Sequence, residues 1–361
     1  MAMTAGLDEA CEVRDEDRLD ADRVDAYLKQ HIPGLRGAPV IRQFPGGSSN
    51  LTYLIVYGGR ELVLRKPPGG VKAKSAHDML REARVMAALR PHYPVVPAIL
   101  ATCNDHAVAG CDFYVMERIH GVILRRDLPA ALGLDAGAVR RLCLDFIERL
   151  VDLHRVDVAH PEIAAIGKGE GYVSRQVNGW THRWRQALTQ DTNPLEDVLA
   201  WLAANQPARE VAICVIHNDF RLDNVVLGLR HPPEIIGVLD WEMATLGDPM
   251  MDLGGSLAYW VQADDDPQYH AMRRQPSHVP GMLSRREVVA HYAARSGWGV
   301  ENFDFYEVFG LFRLMVIVQQ IYRRFLLGQT TNPRFAEFGQ ATAYLGERCR
   351  ILIQGSGGGN Q

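Results

Sequence analysis

Along the first third of the chain, the spacing of apolar residues changes period twice. In DRLDADRVDAYLKQHIPG, Leu19, Val24, Tyr27 and Leu28 recur at helical intervals and predict a helix that stops at Pro33-Gly34. From Ala38 the period shortens to two. PVIRQF, LTYLIVY and RELVLRK, parted by PGGSSN and by Gly58-Gly59, predict an antiparallel meander with tight connections. Ser75-x-x-Asp78 carries a capping-box pattern and predicts a helix opening there, running through MLREARVMAALR to the HYP at 92–94. Two more strand-like runs follow, near PAILATCN and DFYVMERI.

Beyond Gly121 the helical period dominates. Long patterns occupy roughly 134–157, GYVSRQVNGWTHRWRQALTQ, PLEDVLAWLAAN and most of 249–353. They are interrupted by one β patch, VAICVIHNDF, NVVLGL and EIIGVLDW, with RHPP as its hairpin turn. The expected architecture is α+β and bilobal, a small antiparallel β lobe followed by a larger, mainly helical lobe. The expected segments are a polar tail and helix (1–37, with 1–16 disordered), a β-rich lobe (38–116), a hinge (117–121), a helical lobe (122–353) and a flexible tail (354–361).

Composition narrows the function classes. Hydrophobic residues make up 47% and charged residues 23%, as in ordinary globular proteins. A net charge of −4 offers no basic field for a nucleic-acid backbone. The start is acidic and lacks a signal peptide's apolar stretch, and no window approaches a membrane span. The six cysteines show neither C-x-x-C nor zinc spacing, so reduced thiols in a cytoplasmic protein are expected. Of the 39 basic residues 34 are Arg, which suits bidentate contact with anionic oxygens.

The most informative residues lie in the β patch. His217-Asn-Asp219-Phe-Arg221-Leu-Asp-Asn224 follows an apolar strand, and Asp240-Trp241 ends another sixteen residues beyond Asn224. Two carboxylates and an amide at the mouths of buried strands suit phosphoryl transfer. One carboxylate takes the attacking hydroxyl's proton, while the amide and the other carboxylate hold Mg²⁺ on nucleotide phosphates.

This H-x-D-x₄-N pattern with its later Asp resembles the catalytic loop and metal-binding aspartate of the aminoglycoside phosphotransferase/choline kinase-like family, which has a protein-kinase-like fold. LVLRKPPGG, AHDMLREARVM, FYVMERIHG and VLDWEMATLGDPMMDLG further resemble the phosphotransferase domains associated with acyl-CoA dehydrogenases. The resemblance covers about residues 38–350. It implies Asp219 as catalytic base, Arg221 against the transferred phosphate, and Asn224 and Asp240 as Mg²⁺ ligands. It makes His217 structural, Asp223 a solvated neighbour, and Asp248 and Asp252 braces of the catalytic loop. Arg65, where kinases carry a lysine for the α- and β-phosphates, is expected to pair with Glu82, since Glu82 falls on the apolar stripe of its helix and a carboxylate there needs a partner. Lys66 competes with Arg65 for that place, because strand alternation lets only one face inward. Ser48, Ser49 and Asn50 would cover the phosphates. Met116, Glu117 and Ile119 would form the hinge that meets adenine.

The implied activity is ATP- and Mg²⁺-dependent transfer of the γ-phosphate to a hydroxyl of a small molecule. Residues 251–350 hold ten acidic residues and eleven arginines, which gives no acidic cradle for a polycation. Arg175, Arg183, Arg185, Arg313, Arg323 and Arg324 suggest an anionic acceptor, such as a hydroxy acid or hydroxyacyl-CoA. An aminoglycoside- or choline-type kinase is the alternative, with Tyr259, Trp260 and Tyr322 available for an aromatic cage. A nucleotide-binding module without transfer is a third reading, opposed by the intact Asp219, Asn224 and Asp240. No activation-loop segment follows Asp240, which disfavours a protein kinase.

Overall fold

The computed structural model describes residues 9–45, 50–68, 78–230 and 233–356. In chain order, α1 (Ala21–His31) precedes the strands β1 (Val40–Gln43), β2 (Leu51–Tyr57) and β3 (Arg60–Lys66). Next come α2 (Met79–Leu89), β4 (Ile99–Cys103), the short α3 (His106–Ala109), β5 (Phe113–Glu117) and β6 (Val122–Ile123). Helices α4 (Ala136–His154), α5 (Pro161–Ala164), α6 (Tyr172–Ala187) and α7 (Glu196–Ala204) lead to β7 (Cys214–Ile216), β8 (Val225–Leu227), β9 (Ile235–Val238) and β10 (Thr245–Gly247). The remainder is helical: α8 (Pro249–Leu257), α9 (Pro267–Ala271), α10 (Arg285–Ser296), α11 (Phe303–Leu326) and α12 (Phe338–Ser356). Among the described residues no helix is long and apolar enough to cross a membrane.

The chain divides into two compact units. The first takes in residues 1–124, 129–133 and 224–244, and the second takes in 125–128, 134–223 and 245–361. The first unit is built on an antiparallel sheet of order β1-β2-β3-β5-β4. Alternation splits its side chains between two faces. Tyr53, Ile55, Leu62, Leu64, Phe113 and Val115 form one core with Val24 and Leu28 of α1 and with Ile32 just after it. Val63, Arg65, Tyr114 and Met116 occupy the opposite face, in a register that sets Arg65 against Tyr114. Residues 224–244 return to this unit, where β8 and β9 extend β6 into a three-stranded sheet.

Three local expectations change. The cap of α2 is Asp78, whose carboxylate accepts from the Arg81 N–H at 2.8 Å, and Ser75 lies outside the described residues. Residues 9–16 are not all free tail, since Cys11 exchanges two backbone hydrogen bonds of 2.8 Å with Gln43. The β patch is two ladders, because β7 pairs with β10 and not with β8. The strand β10 hides in EMATLGDP, where three residues give too short a run to show a period.

The second unit positions its polar residues through α8. Gly254 of α8 and Gly310 of α11 lie so close that a Cβ on Gly254 would strike the Tyr306 carbonyl, and one on Gly310 the Gly254 carbonyl. Backbone-to-backbone packing of this kind leaves α8 little freedom to shift.

Candidate active site

In the second unit, β7 delivers the chain into a turn whose backbone groups are held one after another. Asp252, on α8 and 1% exposed, accepts the N–H of His217 at 2.6 Å and that of Asn218 at 2.7 Å. It also meets His154 Nε2 at 3.1 Å, and His154 Nδ1 lies 2.7 Å from the Tyr292 hydroxyl. Burial works to raise the Asp252 carboxyl, but its hydrogen bonds and the histidines outweigh burial and hold it below the usual aspartate range. The Asp219 N–H donates to His217 Nδ1 at 3.2 Å. Ser256 Oγ donates to the Phe220 carbonyl at 2.6 Å, and the Leu222 N–H donates to Gln275 at 2.8 Å.

Asn218 accordingly sits at φ 65°, a left-handed conformation that Asn tolerates better than most residues, and the Tyr172 hydroxyl donates to its side chain at 2.7 Å. Arg221 Nε lies 3.3 Å from Asp219 and 3.1 Å from Asp223, and its guanidinium stands over the Tyr259 ring at 4.6 Å. Asp223 is therefore not the solvated neighbour expected from sequence. It is largely buried, and burial pushes its carboxyl up against the pull of Arg221. Asp248 caps α8 and accepts from Val211 and Met250.

The aromatic trio expected for a cage is engaged elsewhere. Trp260 is buried with its Nε1 on the Leu283 carbonyl, Tyr322 donates to Asp191, and Tyr259 lies under Arg221.

The first unit holds a second polar group. Arg65 Nη1 donates to Glu82 at 2.7 Å and to the Tyr114 hydroxyl at 3.2 Å, and Nη2 reaches Asp240 at 3.1 Å. Lys66 faces the other way and donates to the Ala109 carbonyl at 3.1 Å. Arg65, not Lys66, is thus the partner of Glu82. Burial opposes the Arg65 charge, and Tyr114, Glu82 and Asp240 overcome it. Burial raises the Glu82 carboxyl, and Arg65 offsets this only in part.

Asp240 follows β9 by two residues and sits at φ 69°, ψ 59°. Asn224 is buried, and its carbonyl accepts from the Leu239 N–H at 2.8 Å, which brings Asn224 and Asp240 to neighbouring positions. Asn50 is buried and donates to Glu242 at 3.2 Å, while Ser48 and Ser49 lie outside the described residues. Met116 is buried, the Glu117 N–H donates to the Ala98 carbonyl at 2.9 Å, and Ile119 is half-buried.

Sequence reasoning missed Tyr114 and Glu242. Tyr114 was detectable as the hydroxyl-bearing residue on the strand face shared with Arg65. Glu242 carried no signal beyond its place after Asp240-Trp241. Burial, then Asp240 and Glu82, push Glu242 to about 7. Glu82 and Asp240 thus share one guanidinium with Glu242 near enough to feel its charge, and the Asn224 amide and Asp240 carboxylate are oxygen donors of the kind that could hold a hard divalent cation.

An antiparallel N-terminal sheet followed by mainly helical chain, with these two polar groups, defines the α+β protein-kinase-like fold. The chain matches the phosphotransferase enzyme family over residues 40–288 and belongs to it. A Ralstonia eutropha JMP134 crystal structure assigned as an aminoglycoside phosphotransferase superposes with a TM-score of 0.79 at 27% identity, covering 93% of this chain and 99% of that one. Aminoglycoside phosphotransferase APH(4)-Ia, in a ternary complex with AMP-PNP and hygromycin B, shares the fold with a TM-score of 0.56 at 15% identity, covering 93% and 99%. Acyl-CoA dehydrogenase family member 10 of Mus musculus is 34% identical over 340 residues, which are 93% of this chain and 31% of that protein. Member 11 of the same species is 33% identical over 336 residues, 89% and 42%. The chain spans about a third to two fifths of the length of these two relatives.

Proposed function

We propose that the protein is an ATP- and Mg²⁺-dependent phosphotransferase that moves the γ-phosphate to a hydroxyl of a small anionic molecule. The observation that carries this reading is the turn at 217–222. Its backbone is pinned by Asp252, His217, Ser256 and Gln275, which presents the Asp219 and Arg221 side chains from a fixed frame. Asp219 accepts the acceptor hydroxyl's proton as the hydroxyl oxygen bonds to the γ-phosphorus and the bond from that phosphorus to the β-phosphate oxygen breaks, releasing ADP, while Arg221 offsets charge on the transferred group. Asn224 and Asp240 hold Mg²⁺, which supplies charge neutralisation on the phosphates. Arg65, aligned by Glu82, contacts the nucleotide phosphates, with residues 38–116 as the nucleotide-binding lobe, Ser48, Ser49 and Asn50 covering the phosphates, and Met116, Glu117 and Ile119 at the adenine. Residues 122–353 carry the catalytic and acceptor side.

For the acceptor, two arginines of the second unit support an anionic hydroxy acid or hydroxyacyl-CoA. Arg175 is spent on backbone carbonyls and Arg185 on Glu196. Arg313 and Arg183 instead stack on Trp180, with guanidinium carbons 5.5 Å and 4.7 Å from the ring centre. A guanidinium resting on an aromatic face keeps its N–H edges for an anion. The engaged state of Tyr259, Trp260 and Tyr322 weighs against a choline-type cage.

The test is a kinase assay of aminoglycosides, choline, and hydroxy acids free and as CoA thioesters, run side by side with wild type and Asp219→Asn. Turnover of an acid or thioester by wild type is expected, falling about 10²–10⁴-fold in Asp219→Asn with Mg·ATP affinity within a few-fold. Efficient turnover of an aminoglycoside alone overturns the acceptor class, and near-normal turnover by Asp219→Asn overturns the base.

A further inference from the structure

The first turn of α2 carries two functional side chains in succession. Glu82 turns to Arg65, and Arg81, beside it, reaches the segment that follows Asp240. Arg81 Nη1 donates to the Glu242 carbonyl at 3.1 Å and Nη2 to the Ala244 carbonyl at 2.6 Å. These carbonyls are two residues apart, so a forked donor can hold both, whereas an ammonium is a single point of attachment.

The segment they belong to needs holding. Asp240 has a left-handed backbone, which a non-glycine residue keeps only when its surroundings enforce it. On its N-terminal side, the Leu239 N–H is tied to the Asn224 carbonyl at 2.8 Å. On its C-terminal side, Trp241 is fully buried with Nε1 on the Val238 carbonyl at 2.8 Å, and the Ala244 N–H returns to the Trp241 carbonyl at 3.1 Å. Arg81 closes that short turn from outside and ties it to α2, whose Glu82 also meets the turn through the Trp241 backbone.

We propose that Arg81 is a positioning residue that locks the backbone around Asp240 and couples it to the helix bearing Glu82. Resting on the phosphotransferase reading, this makes Arg81 set the Mg²⁺-dependent part of nucleotide affinity without touching nucleotide or metal. The Glu82–Arg65 pair and the Asp240 carboxylate then keep one fixed spacing, because Arg81 and Glu82 are rigidly joined as neighbours on one helical turn.

The experiment compares Arg81→Met and Arg81→Lys with Arg84→Met, a control on the same helix whose side chain is 69% exposed. Amide hydrogen exchange of the ligand-free proteins comes first. Arg81→Met should exchange about tenfold faster over residues 241–244 with β2, β3 and β5 unchanged, while Arg81→Lys falls between and Arg84→Met matches wild type. Calorimetry with ATP comes second. In Arg81→Met the affinity gained on adding Mg²⁺ should drop about tenfold, with Mg²⁺-free affinity within about twofold of wild type.

Unchanged exchange over 241–244, or exchange accelerated throughout the sheet with a general fall in Tm, overturns the proposal. So does an Arg81→Lys variant equal to wild type in both measurements. Local acceleration in Arg81→Met, alongside a wild type that gains no ATP affinity from Mg²⁺, supports the clamp and overturns the metal-nucleotide reading instead.

Discussion

Glu82 and Asp252 are both 1% exposed, yet burial has opposite outcomes for them. Glu82 faces a guanidinium that is shared with Asp240, in the company of a third carboxylate, Glu242, and its carboxyl is raised. Asp252 faces two backbone N–H groups and a histidine, and its carboxyl is lowered. Fixed dipoles from a turn that must form anyway stabilise a buried charge without bringing in a second ion to desolvate. The first unit therefore keeps a centre in which carboxylates share one guanidinium, and under the proposed function that centre would exchange partners on binding nucleotide and cation. The second keeps a rigid bracket, suited to aiming one side chain.

The sharpest way to break this contrast is Asp252→Asn. Two backbone N–H groups would then compete for a single amide oxygen, and stability should fall by about 3 kcal/mol or more in chemical denaturation. A loss under about 1 kcal/mol would mean that the bracket is held by packing instead. The counterpart in the first unit is the pair Arg65→Ala and Glu82→Ala. Each should cost about 2–4 kcal/mol, and the double mutant should cost less than their sum by about 1–3 kcal/mol, because either change alone already breaks the same buried ion pair. Additive costs would show that Tyr114 and Asp240, not Glu82, satisfy Arg65.

A smaller effect separates the two carboxylates by pH. Asp252 has a depressed folded-state pKa, so its stabilisation is present above the ordinary aspartate pKa near 3.8 and is lost as pH falls through the lower folded value. Wild type should lose stability on that acid limb more steeply than Asp252→Asn, as read from urea midpoints below pH 4. Parallel limbs would remove Asp252 from the account. The smallest effect is expected from Lys66→Ala, about 0.5 kcal/mol or less with ATP affinity unchanged, since its ammonium is turned away from Glu82 to the Ala109 carbonyl. A marked loss of ATP affinity would reverse the assignment of the inward strand face.

Much of this was legible in the chain. Period-two runs located β2, β3 and β5, and the charge on the apolar stripe of α2 pointed to the Glu82–Arg65 pair because a buried carboxylate demands a cation. Alternation alone could not choose between Arg65 and Lys66, since either phase buries leucines or valines. The choice needed both faces of the sheet, with α1 on one and Glu82 on the other. Asp223 misled for a related reason. A polar residue in a polar loop reads as solvated, and only the fold shows Asp223 against the guanidinium of Arg221, which itself lies over the Tyr259 ring. Arg81 looked like one of many surface arginines, because its partners are backbone carbonyls that have no letter in the sequence.

The return of residues 224–244 to the first unit has a consequence in time. On the ribosome, the sheet strands, Arg65 and Glu82 emerge first, and roughly 100 residues must follow Leu124 before this segment appears. At about 5–20 residues per second, that is a wait of about 5–20 seconds. Throughout it, Arg65 has only one of its two carboxylate partners, Arg81 has none of its carbonyls, and β6 has no neighbour. The Arg65 group is thus the last part of the first unit to be completed, although Arg65, Arg81 and Glu82 are made well before residues 224–244.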